Sequence, residues 1–389
     1  MTNVRLPLER SCAHGRDQRW RVGLDADGRI ARLVPIDRAS CAAGEDWHGD
    51  WLSPGGVDLQ INGGLGLAFP ELCAADLPRL ESLLERLWQD GVAAICPTLV
   101  TCGVEPLRQA LTVLAEARRR HRPGRCRLLG AHLEGPFLAL ERRGAHPREH
   151  LASPSAEALE HRIHGFSGGA GWDAPADIAL VTLAPELPGA AEVIASLRRR
   201  GIVVSLGHSA AGEAEANAAF DAGVTMLTHA FNAMPDMHRR APGPVAAALL
   251  REEVAVGLIA DGVHVAPSMA VLLQRLAPDR VVIVSDALAP YGLADGQHRW
   301  DSRVLQVSEG SCRLEDGTLA GVTLPLLEGV RRLARWSGRP ERAIAAATVL
   351  PRRVLGDHRP QTELLLGTPL VETLRWRSEA AELNWQRSA

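Results

Sequence analysis

The 389-residue chain contains no lysine; arginine supplies all 43 of its Lys-plus-Arg side chains. Schiff-base chemistry through a lysine amine is therefore excluded. No strongly basic run stands out, and the net charge is only −3. Nothing marks a surface for nucleic acid or for an anionic membrane. No stretch approaches the ~18 uninterrupted apolar residues of a membrane span. The opening MTNVRLPLERSCAHG lacks the apolar core of a secretory signal, so the cytoplasm is the expected location. Seven cysteines, an odd number, are scattered without a C-x-x-C pair. That usage fits reduced thiols rather than a disulfide framework. No G-x-G-x-x-G follows an early strand, which disfavours an open dinucleotide-binding sheet.

What is present is an ordinary globular composition, 46% hydrophobic and 23% charged. WRVGLDADGRIARLVPI (20–36) reads as a hairpin with DADG as its turn. From residue 51 the texture changes to short apolar runs ending in polar residues or glycine. There are eight: 57–63, 93–100, 128–136, 178–186, 202–209, 224–234, 254–265 and 280–290. Helical patterns separate them, clearest at 76–91, 105–120, 188–201 and 211–223. Eightfold alternation of strand and helix predicts an α/β fold of the (β/α)8 TIM-type barrel class. Beyond it, 340–356 is helix-like, and TELLLGTPLVETLRW (362–376) reads as strands returning to the N-terminal segment. The expected division is a barrel over 51–339 and a small β-rich domain built from 1–50 together with 340–389.

Reactive residues of such a barrel come from the C-terminal ends of its strands. Those ends carry His132 and Glu134, His208, His229, Asp261 and His264, and Asp286, with His146 in the loop after the third. A lone histidine at a strand end commonly does no more than satisfy hydrogen bonds, and a lone Asp often caps a helix. Together, however, Glu134, His208 and His229 give one carboxylate and two imidazoles with a position open for water, the donor set of a catalytic zinc site. Asp286 is then placed to move protons opposite the metal. His146 and His264 are candidates to polarise a carbonyl or hold a substrate hydroxyl, and His132 to support Glu134. Many metal hydrolases of this architecture carry His-x-His on the first strand. Here GGVDLQINGG (55–64) has Gln60 and Asn62 instead, which removes one of two possible metal positions and makes that amide pair a candidate support for the other.

The segments DLQING, HLEGPFLALERRGAH, GHS, THAFNAM, IADGVHV and VSDALAP together resemble the N-acetylglucosamine-6-phosphate deacetylase family of the amidohydrolase superfamily. The resemblance implies a barrel with a small β-sandwich made by both termini, and release of acetate from the amino-sugar phosphate. It implies Glu134, His208 and His229 as ligands of one divalent metal, Zn2+ or else Fe2+, and Asp286 as general base and acid. It further implies His146 at the amide carbonyl, and Asn232, the Ala233 backbone, His264 and Arg240 at the substrate. In many members the arginine at the Arg240 position reaches the phosphate from the partner of a homodimer. GTLAGVTLPL (317–326) departs from the family, with Val322 where a serine is usual. Alternatives are an enzyme for N-acetylgalactosamine 6-phosphate and a non-catalytic sugar-phosphate binder. Dihydroorotase-like and aminoacylase-like enzymes are disfavoured, since they bring a His-x-His strand and often a bridging lysine.

Overall fold

Apolar runs buried on both faces need cover from both sides, and the chain supplies it by alternating each run with an amphipathic segment. The computed structural model describes residues 2–10, 17–36, 47, 50–301, 303–379 and 382–388. Cys12, Cys41 and the parts of the expected small domain at 11–16 and 37–46 lie outside the described residues. Eight parallel strands follow one another in a single sheet. They are β1 Gly56–Ile61, β2 Val92–Val100, β3 Ala131–Glu134, β4 Ile178–Leu183, β5 Val203–Leu206, β6 Met226–Leu227, β7 Ala255–Ile259 and β8 Val281–Val284. Each overlaps one of the eight runs marked in the sequence.

The sheet closes between β8 and β1. The Asp286 N–H donates to the Gln60 carbonyl at 2.9 Å, and the Asn62 N–H to the Ala287 carbonyl at 2.7 Å. Asp58 ties the same seam, its Oδ1 accepting from the N–H groups of Ser285 (3.1 Å) and Gln60 (3.2 Å). Burial pushes the Asp58 carboxyl up to about 7, against the pull of those hydrogen bonds.

The covering helices follow the 3.6-residue period. Leu77–Gln89 buries Leu80, Leu83, Leu84 and Leu87, one face of the helix. Each of these leucines is worth roughly 1.5–3 kcal/mol in removed apolar surface. The helix stops at Gly91, whose φ is +84° and whose absent Cβ would lie 2.4 Å from Leu327 Cδ1. Both the left-handed turn and the close approach require glycine.

Both chain ends meet in a six-stranded mixed sheet, in the order Glu382–Arg387, Thr373–Glu379, Trp51–Pro54, Thr2–Arg10, Asp17–Leu24, Ile30–Ile36. The hairpin over 20–36 is there, with Asp25 Oδ1 accepting from the Asp27 and Arg29 N–H groups in its turn. Trp376 joins this sheet to the barrel by lying fully buried in the main core, while its Nε1–H donates within the sheet to Ser53 Oγ at 2.9 Å. The tail differs from expectation in part. Gln361–Leu365 is a short helix, because Leu365 turns inward against Leu52, Val4 and Ile30. The helix Pro340–Thr348 packs on the terminal strands Thr2–Arg10 and Trp51–Pro54 as well as on β1 and β8, and Leu350–Val354 packs on β1 and β8. An antiparallel sheet of four strands between Gly296 and Val322 follows β8, where the sequence pattern predicts no strands.

Two consequences are measurable. Trp376→Ala removes a fully buried indole and is expected to cost about 3–5 kcal/mol in denaturant unfolding; a loss below 1 kcal/mol (roughly the median of ordinary substitutions) would mean the terminal sheet is dispensable. The folded chain holds the Asp58 proton more tightly than the unfolded chain does. Its contribution to stability is therefore fully present below about pH 4 and lost as pH rises through about 7. Asp58→Asn keeps the accepting oxygen and removes the titration, so urea melts should show a flatter pH profile over that window.

Candidate active site

At the C-terminal mouth of the barrel a cavity of about 330 Å³ is lined by Asn62, Glu134, His146, His208, His229, Asn232, Ala233, His264 and Asp286, among others. Several of these leave their strands with strained backbones. His208 (φ 49°), Ala233 (φ 52°) and Asp286 (φ 51°) are non-glycine residues in the left-handed region, a cost that clusters at working sites. Gly207 allows the approach: a Cβ there would lie 2.0 Å from Thr228 Cγ2, so only glycine lets the end of β5 bring His208 against His229.

Three atoms converge. Glu134 Oε1 lies 3.2 Å from His208 Nε2 and 3.2 Å from His229 Nε2, and the two nitrogens are 3.0 Å apart. Ligands at 2.0–2.1 Å from a tetrahedral zinc ion would be separated by about 3.3–3.4 Å, close to this triangle. His208 is held in the tautomer a metal needs. Its Nδ1 faces the Arg142 carbonyl at 3.0 Å, which can only accept, so the proton sits on Nδ1 and the Nε2 lone pair points inward. His229 Nδ1 is buried with no hydrogen-bond partner among the described residues. Burial pulls the His229 imidazole down, but the hydrogen bond and charge of Glu134, with Asp286, carry it above its ordinary value. Burial raises the Glu134 carboxyl, and the hydrogen bonds of three histidines more than reverse this, leaving it well below the usual range.

His146 completes a second, overlapping group: ligand atoms of Glu134, His146 and His208 all lie within 4.8 Å of one another, and all three residues are buried. Its Nε2 is 3.6 Å from Glu134 Oε2. The Thr101 backbone N–H donates to His146 Nδ1 at 3.3 Å, with the Thr101 hydroxyl 2.9 Å away. That hydroxyl gives its own proton to the Glu134 carbonyl at 3.0 Å. Burial pushes the ring down to about 4, so it is neutral.

The amide pair of β1 sits under these groups. Gln60 Nε2 donates to Glu134 Oε1 (2.9 Å) and to Asp286 Oδ1 (3.2 Å), while its Oε1 accepts from the Thr228 hydroxyl (2.8 Å). Asn62 Nδ2 donates to the same Asp286 oxygen at 2.7 Å. Burial and the charge of Glu134 push Asp286 up to about 6, although His229, His264 and Asn62 pull the other way. His132 hydrogen-bonds Thr98 (3.2 Å) and Thr182 (2.8 Å), with no hydrogen bond to Glu134 among the described residues, and burial pushes it down to about 4.

Asn232 and Ala233 line the cavity, and His264 does so with its Nδ1–H donating to Asp261 Oδ2 at 2.6 Å. Arg240 does not join them: it is exposed on the turn 238–241. Val322 is buried beside the Asp286 turn, its N–H donating to the Asp286 carbonyl at 3.2 Å, while Leu319 and Ala320 of the same strand reach the cavity. Sequence reasoning misses Thr101, Thr228, Arg142 and Trp300. Thr101 and Thr228 stand at the ends of β2 and β6, where a threonine is too ordinary a residue to mark a role, and a backbone carbonyl carries no signal at all. Asp261, three residues before His264, stands out at its strand end, but only the structure shows that it orients that imidazole.

The Amidohydrolase family pattern matches residues 51–359. The N-acetylglucosamine-6-phosphate deacetylase of Bos taurus is 35% identical over 359 residues, covering 88% of this chain and 85% of the relative. An N-acetylgalactosamine-6-phosphate deacetylase of Escherichia coli O157:H7 is 34% identical over 333 residues, covering 85% and 84%. Among solved structures, a variant of the Mycobacterium smegmatis N-acetyl-D-glucosamine-6-phosphate deacetylase in complex with N-acetyl-D-glucosamine-6-phosphate superposes with a TM-score of 0.79 at 27% identity, covering 99% of this chain and 97% of that one. With its metal-competent cluster at the mouth of such a barrel, the chain belongs to the N-acetylglucosamine-6-phosphate deacetylase family of the amidohydrolase superfamily.

Proposed function

We propose that this enzyme hydrolyses the N-acetyl amide of N-acetylglucosamine 6-phosphate to glucosamine 6-phosphate and acetate, in the cytoplasm and as a homodimer. The observation that carries the reading is the triangle of Glu134 Oε1, His208 Nε2 and His229 Nε2, 3.0–3.2 Å on a side, with Asp286 bridged to it by Gln60. Those three residues would hold one divalent ion. Two imidazoles and a carboxylate suit Zn2+ best and Fe2+ also. His146 is left out of the ligand set, its Nε2 standing 3.6 Å from the other Glu134 oxygen, Oε2. When bound, the ion supplies Lewis acidity that brings the pKa of a water near 7.

The protein groups do the rest. Asp286 accepts the proton of the attacking water; one of its oxygens is fixed by Asn62 and Gln60, and the other has no partner among the described residues. The His146 Nε2–H is the donor for the amide oxygen as negative charge develops there. Asp286 then delivers its proton to the sugar nitrogen, because an amine anion leaves too poorly without one. Asn232, the Ala233 N–H and His264 hold the sugar phosphate. Arg240, exposed and away from its own cavity, is available to a partner's site, where its planar fork suits phosphate. The galactosamine epimer is the second reading, favoured by the 34% identical E. coli relative; parallel assays of both epimers decide between them.

Acetate release from N-acetylglucosamine 6-phosphate should vanish on chelation and return with Zn2+. Glu134→Gln should lower bound metal from one equivalent per chain to a trace by elemental analysis. Full activity in the chelated protein, or two equivalents of metal, would overturn the reading. Asp286→Asn is expected to lower kcat by about 10²–10⁴ while metal content and substrate affinity persist. In the wild type kcat/KM should fall as pH drops through the Asp286 value, about 6 without a cation alongside and lower with one. That acid limb should be absent from the residual rate of the variant; if it stays, another group is the base.

A further inference from the structure

The opposite end of the barrel, away from the acids, holds a second cavity of about 280 Å³. Gly55 and Ala93, next to the starts of β1 and β2, form part of its wall, which places it at the N-terminal face. This is the end where barrel enzymes keep stability rather than chemistry. Its wall is rich in guanidinium groups, and two of them stand apart from any carboxylate pairing.

Arg352 is only 6% exposed. Its guanidinium lies 3.4 Å from the centroid of the Trp172 ring, and its Nε–H donates to the Thr348 carbonyl of the adjoining helix at 3.1 Å. Arg127 stands over the same ring at 5.1 Å and gives one N–H to the Trp172 carbonyl at 2.9 Å. Among the described residues no carboxylate forms an ion pair with either. Both oxygens of Asp357 are taken by Arg359, at 2.8 and 2.9 Å, Asp173 faces Arg359 at 3.7 Å, and Glu363 and Glu372 line the cavity without an ion pair to Arg127 or Arg352 among the described residues. Burial pushes Arg352 down to about 9 and lowers Arg127 also, yet both remain cations at neutral pH.

A buried cation without a partner is expensive, and two sharing one ring repel each other. An anion between them reverses both penalties. Guanidinium forks match phosphate oxygens, and 280 Å³ falls just below the usual ~300–1,000 Å³ of ligand pockets, too small for a dinucleotide. We propose that this floor cavity binds a small phosphate-bearing anion through Arg127 and Arg352, on the Trp172 face. The helix Leu350–Val354, which carries Arg352, packs on β1 and β8. An anion held there braces the closing seam from below.

The test is thermal melting of the metal-loaded full chain against inorganic phosphate, with glucose 6-phosphate in a parallel series. Wild type should gain stability saturably, as ligand linkage requires. In Arg352→Met and in Arg127→Gln the apparent affinity should fall more than about tenfold. Arg275→Gln, an exposed arginine of the helix Pro267–Leu276 that lines neither cavity, should respond like wild type. Without phosphate, Arg352→Met should melt at or above wild type, because it removes an unpaired buried charge; at saturating phosphate the order should reverse. A response to inorganic phosphate alone identifies the free ion as the ligand, and a stronger response to the ester identifies a sugar phosphate. No saturable rise in wild type, or the same rise in Arg352→Met and Arg127→Gln as in wild type, would overturn the proposal. The general salting effect of phosphate, common to all variants, gives the second of these results.

Discussion

One carboxamide joins the two acids of the site. Gln60 donates to Glu134 and to Asp286 through the same nitrogen, and its oxygen is pinned by Thr228. Two carboxylates brought together away from water repel strongly, since the local dielectric is low. An amide pointing both protons at them, with two imidazoles converging on one, makes the arrangement tolerable and leaves a gap shaped for a cation. A histidine at position 60 would offer a single N–H or lone pair instead of two donors and an acceptor. In place of His-x-His, the first strand brings two carboxamides that hold the acids in place.

The barrel serves that contact. Gln60 and Asp286 belong to the first and last strands, and they meet because the sheet closes there, with backbone hydrogen bonds at 2.9 and 2.7 Å on either side. Asp58 secures the seam from within, Val322 from the added antiparallel sheet, and the helices of 340–354 from outside. Rigidity at the seam is what fixes the unpartnered oxygen of Asp286 relative to the metal-competent triangle. The strained backbones of His208 and Asp286 are held by the same packing.

Much of this is legible in the sequence for a physical reason. Strands of a covered parallel sheet read as apolar runs, so polar residues at their ends stand out; Glu134, His208, His229 and Asp286 are marked this way and do converge. The two-residue strand Met226–Leu227 is found only because its run, VTMLTHAFNAM, is far longer than the strand. Legibility fails where partners are chemically plain. Thr101 beside His146 and Thr228 orienting Gln60 stand at strand ends yet have no signature there. His132, two residues from Glu134 and so on the same face by strand geometry, hydrogen-bonds threonines instead. The sheet at 296–322 escapes notice because its strands are short and mostly polar outward.

The proposed metal position rests on the triangle of Glu134, His208 and His229, and so does everything proposed for the chemistry. Anomalous diffraction from crystals of the zinc-loaded protein, collected on both sides of the zinc edge, tests it directly. One peak per chain is predicted, about 2.0–2.2 Å from Glu134 Oε1, His208 Nε2 and His229 Nε2, with His146 Nε2 outside bonding distance. A second peak beside Gln60 and Asn62, or a peak bonded to His146 in place of His229, would contradict it.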